Sequence, residues 1–420
     1  MKLTRNGYRE RLIDKVIKDR LKEYCAVYIE GPKWCGKTWT ALNNSNSAIF
    51  LKNSLDNYKD MRLAEMNLES VLNKESPETI DEWQEVPKIL EAVQKQNETG
   101  KYILTTSTLP IFKKFSNIDS KKTCKLNMHT MSLYETGDST GEVSLQDLFD
   151  NNVFQQKVER EEIYKIADYI VRGGWPEVVD LPIDLAMNVT KGYIRTIVEK
   201  DVDEVHGVNR DKRKMRALLK ALAKNESTTV STNALISGGK EDSQRNFIGR
   251  NTAVDYIDAL DKLCLIKNQK SFIVDENSRE NVFQRPKRHL VDPSLCCAIL
   301  NLSPEKLLDD IGIFGKFFES LVERDLRIYS EIIGGKLYHY MDSKMETKVD
   351  CIVALPNGEY GAIEVNLGGK NIDKEAKNLK KFYDSVERKP SFMCIICGMY
   401  DAVSIIENGI YVLPITSLRP

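Results

Sequence analysis

Gly31-Pro32-Lys33-Trp34-Cys35-Gly36-Lys37-Thr38 is the stretch on which the reading of this chain turns. It fits G-x-x-x-x-G-K-[ST], and its flanks fit too. Cys25-Ala26-Val27-Tyr28-Ile29 is a short apolar run of the kind a buried parallel strand shows, and Lys37-Thr38-Trp39-Thr40-Ala41-Leu42 can open a helix. The glycines allow angles that turn successive amides inward, so the bend forms an anion nest at a helix N-terminus. Lys37 brings a point charge to the β- and γ-phosphates, and the Thr38 hydroxyl is a ligand for Mg²⁺. Gly31, Pro32, Lys33, Trp34, Cys35, Gly36, Lys37 and Thr38 are therefore the expected phosphate-binding residues, with ATP and Mg²⁺ as their ligands. No N-K-x-D base-reading motif is present, which mildly favours ATP over GTP.

Such a loop needs a carboxylate on a neighbouring parallel strand. Thr79-Ile80-Asp81-Glu82, followed by Trp83-Gln84-Glu85-Val86-Pro87, supplies it. Asp81 is expected to hold the Mg²⁺ through water, and Glu82 to be the base that polarises an attacking water. A third strand, Tyr102-Ile103-Leu104, runs into Thr105-Thr106-Ser107-Thr108 and should lie between the other two. Thr106 is the residue expected to reach the γ-phosphate or the water; capping of the next helix is its alternative role.

Composition sets the outer limits. The 420 residues correspond to two to four domains, and 41% hydrophobic with 29% charged residues excludes a disordered chain. Lys and Arg number 61 against 62 Asp and Glu. Overall electrostatics therefore gives no reason to expect nucleic-acid binding, although a local basic face stays open. The nine cysteines follow no disulfide framework, the N-terminus lacks a secretory apolar core, and apolar stretches such as Phe392 to Cys397 are far short of the ~20 residues that span a bilayer. The expectation is a reduced, cytoplasmic protein with no membrane partner. The four histidines show no ligand spacing, and Cys394 and Cys397 sit in the strand-like SFMCIICGMY, their sulfurs on opposite faces.

Periodicity divides the rest. Residues 1–152 alternate helix and strand, the pattern of an α/β layer fold with a parallel sheet. Residues 153–212 are mostly helical, 213–290 read helix, helix, helix, hairpin, and 291–420 return to mixed α and β. Strands are expected around Lys336–Tyr340, Val349–Ala354, Tyr360–Val365 and Phe392–Ile396.

GPKWCGKT, IDEWQEVP and ILTTST occur in that order, and with them the chain resembles the prokaryotic AAA-type ATPases that carry an uncharacterised C-terminal domain of restriction-endonuclease type. Further matches are HTMSLYETGDSTGEVSLQDLFD (129–150), YIVRGGWPEVV (169–179), RALLKALAKN (216–225), FFESLVERDLRIY (317–329) and the VDCIV and AIEV strands. The resemblance implies a P-loop core over 1–152, a helical lid over 153–212, a winged-helix-like module over 213–290 and a PD-(D/E)XK nuclease-like domain over 291–420. AAA-type sites often lie at subunit interfaces, so a homo-oligomer is among the expected partners.

Two departures from the family matter. Members carry an Arg shortly before the MSL segment, suited to act as an arginine finger; here the stretch is Ser120-Lys121-Lys122-Thr123-Cys124-Lys125. Lysine lacks the planar fork of guanidinium, so slow hydrolysis is expected, with Arg172 as a substitute finger or a structural helix-end residue. The nuclease pattern maps onto Glu319, Asp350 and Glu364, but Asn366 stands at the lysine position, and Lys370 is a weak replacement. That site is expected to be inactive.

The middle module fits a winged helix. Its helices would be Lys214–Lys224, one from Val230-Ser231-Thr232, and Thr252–Leu263, with Cys264–Lys267 and Ser271–Ile273 making the wing. Arg245 and Arg250 could face DNA, but Asp255, Asp258 and Asp261 suit phosphates poorly, which favours packing or a protein partner over DNA. The expected function is an ATP-binding protein, a slow Mg²⁺-dependent ATPase whose nucleotide state repositions the C-terminal modules. An ATP-gated DNA-processing nuclease and a non-hydrolysing regulatory binder are the alternatives.

Overall fold

Short apolar runs broken by helix-opening turns give the N-terminal elements, and a computed structural model describes residues 3–108, 121–238, 248–274, 285–342, 344–369 and 372–420. Ser120, Arg245, Asn246, Phe247 and Lys370 lie outside the described residues. In chain order the elements begin α1 (Leu12–Glu23), β1 (Ala26–Glu30), α2 (Lys37–Asn43), β2 (Ser47–Phe50), α3 (Lys59–Met66), β3 (Glu78–Asp81), α4 (Lys88–Gln94), β4 (Tyr102–Thr106) and β5 (Thr123–Asn127). Then come α5 (Leu133–Thr136), β6 (Val143–Ser144), α6 (Leu145–Phe149), β7 (Gln156–Lys157), α7 (Ile163–Arg172), α8 (Ile183–Thr196) and the single turn α9 (Val202–Glu204). The middle holds α10 (Lys212–Lys224), α11 (Thr232–Gly238), α12 (Arg250–Lys262) and β8 (Lys270–Ser271). The chain ends with α13 (Pro293–Leu300), α14 (Pro304–Leu308), α15 (Ile311–Ile332), β9 (Lys336–Met341), β10 (Lys348–Ala354), β11 (Tyr360–Asn366), α16 (Asp373–Ser385), β12 (Phe392–Cys397), β13 (Ala402–Ile406), β14 (Ile410–Pro414) and β15 (Leu418–Arg419).

The chain divides into two units. The first comprises Met1–Thr130, Asp201–Asn209 and Asp258–Leu265. Its sheet has the order β2-β3-β4-β1-β5, every pairing parallel, with β4 between β3 and β1 as the sequence implies. Because side chains alternate along a strand, Ala26 and Tyr28 join Trp83, Ile49 and Leu104 in one core, while Val27 and Ile29 join Ile17, Leu21 and Ile103 in another. Helix α1 covers the second face with Ile17 and Leu21, and α4 covers the first with Ile89, Leu90 and Val93. Trp83 is wholly buried, its ring edge-on to Tyr28 at 5.7 Å.

Behind the phosphate loop, Arg11 is buried and its guanidinium donates to the Cys35 carbonyl at 2.8 Å and the His129 carbonyl at 3.0 Å. Asp14, also buried, accepts from the Arg11 amide and the Tyr8 hydroxyl, and the Tyr8 oxygen is hydrogen-bonded to the Thr40 hydroxyl of α2. The N-terminal segment thus braces the loop from beneath.

The second unit comprises Met131–Lys200, Arg210–Ile257 and Ile266–Pro420. An eight-stranded mixed sheet runs β7-β13-β14-β12-β11-β10-β9-β8. The four strands expected over residues 336–396 form, each within two residues of its expected ends. Cys394 and Cys397 are buried on β12. Among the described residues no helix is long and apolar enough to cross a membrane.

Two segments lie differently from expectation. Residues 131–152 belong to the second unit rather than the P-loop core. The Leu133 amide donates to the buried carboxylate of Asp325 at 3.0 Å, β6 pairs with β15, and Phe149 packs edge-on to Phe392 at 4.9 Å. The helices of the middle module form near their expected bounds, but its hairpin does not. Ile266 and Gln269 bridge antiparallel to Leu290 and Lys287, while Lys270–Ser271 joins the large sheet beside β9. The expected wing strand is therefore an edge strand of the C-terminal sheet.

Trp83→Ala should destabilise the first unit by about 3–5 kcal/mol, read as a lowered denaturant midpoint for that unit. Arg11→Ala, which strips two buried carbonyls of a charged donor, should cost about 2–4 kcal/mol in the same measurement. A midpoint unchanged by either substitution contradicts the packing described.

Candidate functional site

The loop's bend follows from its glycines. Gly36 takes φ 103° and caps the start of α2, and Trp34 is also left-handed at φ 69°. At Gly31 a Cβ would lie 2.1 Å from the Met128 carbonyl oxygen, so no larger residue fits there without moving backbone. Pro32 is buried, as is Cys35, whose thiol donates to that same Met128 oxygen.

Two lysines arm the bend. The Lys37 ammonium is 5% exposed and donates to the Gly31 and Pro32 carbonyls at 2.9 and 2.8 Å, folded back over its own loop. Lys33 pairs with buried Asp201 at 2.7 Å, at the end of the π-helical turn that continues α8.

The acid partner stands where the motif order requires. Thr38 Oγ1 donates to Asp81 Oδ1 at 2.8 Å, and Thr105 Oγ1 donates to the same oxygen at 2.7 Å. Burial raises the Asp81 pKa, and the Thr105 and Thr38 hydroxyls work against that shift. A hydroxyl and a carboxylate converging at the C-terminal edge of a parallel sheet form an all-oxygen donor set of the kind hard Mg²⁺ takes, so these residues fit that ion.

Glu82 follows in a left-handed conformation, φ 57°, which a non-glycine residue adopts only when its surroundings enforce it. Its amide donates to Thr105 Oγ1 at 3.2 Å, and its Oε2 accepts from Ser107 Oγ at 3.0 Å and from Gln84. The Thr106 hydroxyl donates to the Thr108 carbonyl at 2.8 Å, closing a local turn, while Thr105 and Ser107, on the opposite phase of the strand, face the acids.

The lysines standing where the family has arginine are engaged inside the first unit: Lys125 pairs with Glu30 at 2.7 Å, and Lys122 donates to Asn97 at 3.0 Å. Arg172 pairs with Asp138 and stacks over Tyr169 at 5.5 Å, which is the structural helix-end role. On the acidic helix α12, Asp255 pairs with Arg210 and Asp258 with His206.

In the second unit, α15, β10 and β11 bring Glu319, Asp350 and Glu364 together, but a divalent ion does not fit. The Lys287 ammonium sits among them, 2.6 Å from Glu319 Oε1, 3.5 Å from Asp350 Oδ1 and 3.2 Å from the Asp350 carbonyl. Burial alone would lower the Lys287 pKa; the Glu319 and Asp350 carboxylates raise it instead. Burial pushes Glu364 far up, with Asp350 adding to it. Asn366 Oδ1 accepts from the Gly369 amide, and so serves the turn after β11. Among the described residues no group of three His, Cys, Asp or Glu side chains is arranged to hold a metal ion.

Sequence reasoning missed Arg11, Thr105, Ser107 and Lys287. Arg11 and Lys287 act across 24 or more residues of chain, where no local pattern marks them. Thr105 and Ser107 were one residue from the position chosen.

Comparison with known families matches three stretches of the chain. Residues 23–137 match the AAA domain, residues 163–306 a domain of unknown function (DUF8612) and residues 314–418 another (DUF4143). No curated protein matches the chain. Similar solved structures include a Walker-type ATPase of Pyrococcus abyssi, at 13% identity over 71% of this chain and 98% of that one, with a TM-score of 0.42. The ORC2 protein of Aeropyrum pernix, in ADPNP and ADP complexes, is 11% identical over 74% of this chain and 98% of its own, with a TM-score of 0.36. The first unit thus carries an AAA-type domain on an α/β parallel-sheet core, and the families matched beyond it have no assigned function.

Proposed function

We propose that this protein binds ATP with Mg²⁺ at residues 31–38 and hydrolyses it slowly, its nucleotide state repositioning the modules beyond residue 130. The observation that carries the proposal is the joint between Thr38 and Asp81 at 2.8 Å, with Glu82 held beside it. Loop, metal-binding pair and base come from two separate sequence segments, 31–38 and 81–82, and meet at one sheet edge.

The chemistry assigned to each residue follows from its present bonds. Lys37 exchanges two carbonyl acceptors for phosphate oxygens, a charge-assisted contact stronger than the one it leaves. Loop amides cradle the β-phosphate at the N-terminus of α2. Thr38 and Asp81 would hold Mg²⁺, which when bound screens the phosphate charges. Glu82, oriented by Ser107 and Gln84, accepts a proton from the attacking water. Lysines, not arginines, occupy residues 121, 122 and 125, and an ammonium lacks the planar fork of guanidinium, which supports slow turnover.

Lys33 supports the link from nucleotide to modules. A phosphate drawing its ammonium away breaks the pair with Asp201, the last residue of the π-helical turn that continues α8. In the C-terminal half the paired aspartates of α12 favour packing or a protein partner over DNA.

Lys37→Ala should weaken ATP binding roughly 10- to 100-fold in calorimetry. Equal affinities would refute the site. Glu82→Gln should keep ATP affinity but slow phosphate release about 100- to 1,000-fold. An unchanged rate shows that the site binds ATP without catalysing its hydrolysis, and leaves the non-hydrolysing regulatory reading in its place.

A further inference from the structure

Three carboxyl groups from α15, β10 and β11 converge in the second unit, and such a group cannot persist half-buried without a counter-cation. Glu319 and Asp350 are partly buried, with side chains 18% and 25% exposed. Glu364 is 5% exposed, and its Oε1 has no hydrogen-bond partner. We infer that the Lys287 ammonium is the permanent cation of this cleft, a built-in substitute that excludes a divalent metal and fastens the 285–290 segment to the C-terminal sheet.

Geometry carries the inference. The ammonium has three acceptors, the Glu319 carboxylate, the Asp350 carboxylate and the Asp350 carbonyl, matching its three protons. Lysine 287 is 7% exposed, so its head does not snorkel to water. The segment that carries it is fixed on both sides. Lys287 and Gln269 exchange backbone hydrogen bonds at 2.9 Å in each direction, and Gln269 Nε2 donates to the Tyr338 and Asp350 carbonyls. His339 Nε2, from β9, donates to the Arg285 carbonyl at 3.0 Å. The remaining oxygen of Asp350 is engaged as well: Oδ2 accepts from the Val365 amide at 3.1 Å. A divalent ion placed among these acids would meet both a resident positive charge and an Asp350 carboxylate with both oxygens already engaged.

The chemical consequence differs from that of a metal cleft. An ammonium held by two carboxylates offers no open coordination position and no bound water to activate. Its contribution is to neutralise the acids and to lock the 285–290 segment against β10. The nuclease-like arrangement then serves as a docking device between the middle module and the sheet.

The test is a Mn²⁺ titration of the full-length protein without nucleotide, read by the electron paramagnetic resonance of free Mn²⁺. Wild type and Asp350→Asn should bind the same number of ions, because any ion held at the phosphate loop is common to both. Lys287→Met should bind one more, and Lys287→Met combined with Asp350→Asn should lose it again. One ion more on wild type than on Asp350→Asn would overturn the inference, and that comparison decides even if Lys287→Met does not fold. A folded Lys287→Met that binds no additional ion also overturns it, since the ammonium is then not what keeps the metal out.

Discussion

One carboxylate oxygen holds the edge of the first sheet together. Asp81 Oδ1 accepts from Thr38, at the start of α2, and from Thr105, on β4. Helix, acid strand and middle strand are thereby fixed in one register at the point where the phosphate loop ends. The bond to Thr105 also sets Glu82, whose amide donates to the same hydroxyl oxygen. Moving Asp81 would release the loop helix, the base and the strand between them together, which is why the left-handed backbone at Glu82 can be maintained.

Two sites in this chain use the same acidic residue type and differ in the counter-group. At Asp81 the partners are neutral hydroxyls. They counter the desolvation of the carboxyl without neutralising it, and a cation can displace them at modest cost. At Asp350 the partner is an ammonium, already charged and buried, and displacing it would strand a positive charge in the cleft. Charge balance, rather than the number of carboxylates, separates a site poised for metal from one closed to it. The middle module gives a further instance: Glu226, wholly buried, is pushed by burial up to about 8, and is satisfied by Ser320, Cys296 and the Leu290 amide as part of the packing.

What could be read from the sequence was what is local. Residues 31–38 and 81–82 carry their chemistry in consecutive side chains, and strands β9 to β12 announce themselves by apolar runs between turns. Thr105 against Thr106 was not legible, because a single residue of phase decides which face of a strand a side chain meets, and neighbouring threonines look alike. Residues 131–152 read as part of the α/β core until the structure shows Asp325, 192 residues from Leu133, holding them to the other unit. A lysine is expected two residues after Glu364, where Asn366 stands, whereas the ammonium among the acids is that of Lys287, 63 residues before Asp350. Long-range partners of this kind leave no periodicity to detect.

The central claim is that the main chain at residues 31–38 closes around a triphosphate. Amide hydrogen exchange across that segment, compared without nucleotide and with ATP and Mg²⁺, tests it most directly. The account predicts that exchange in peptides covering Trp34 to Thr38 slows markedly when ATP is present, and that Lys37→Ala removes the effect. Exchange rates there that ATP leaves unchanged at saturating concentration would contradict it.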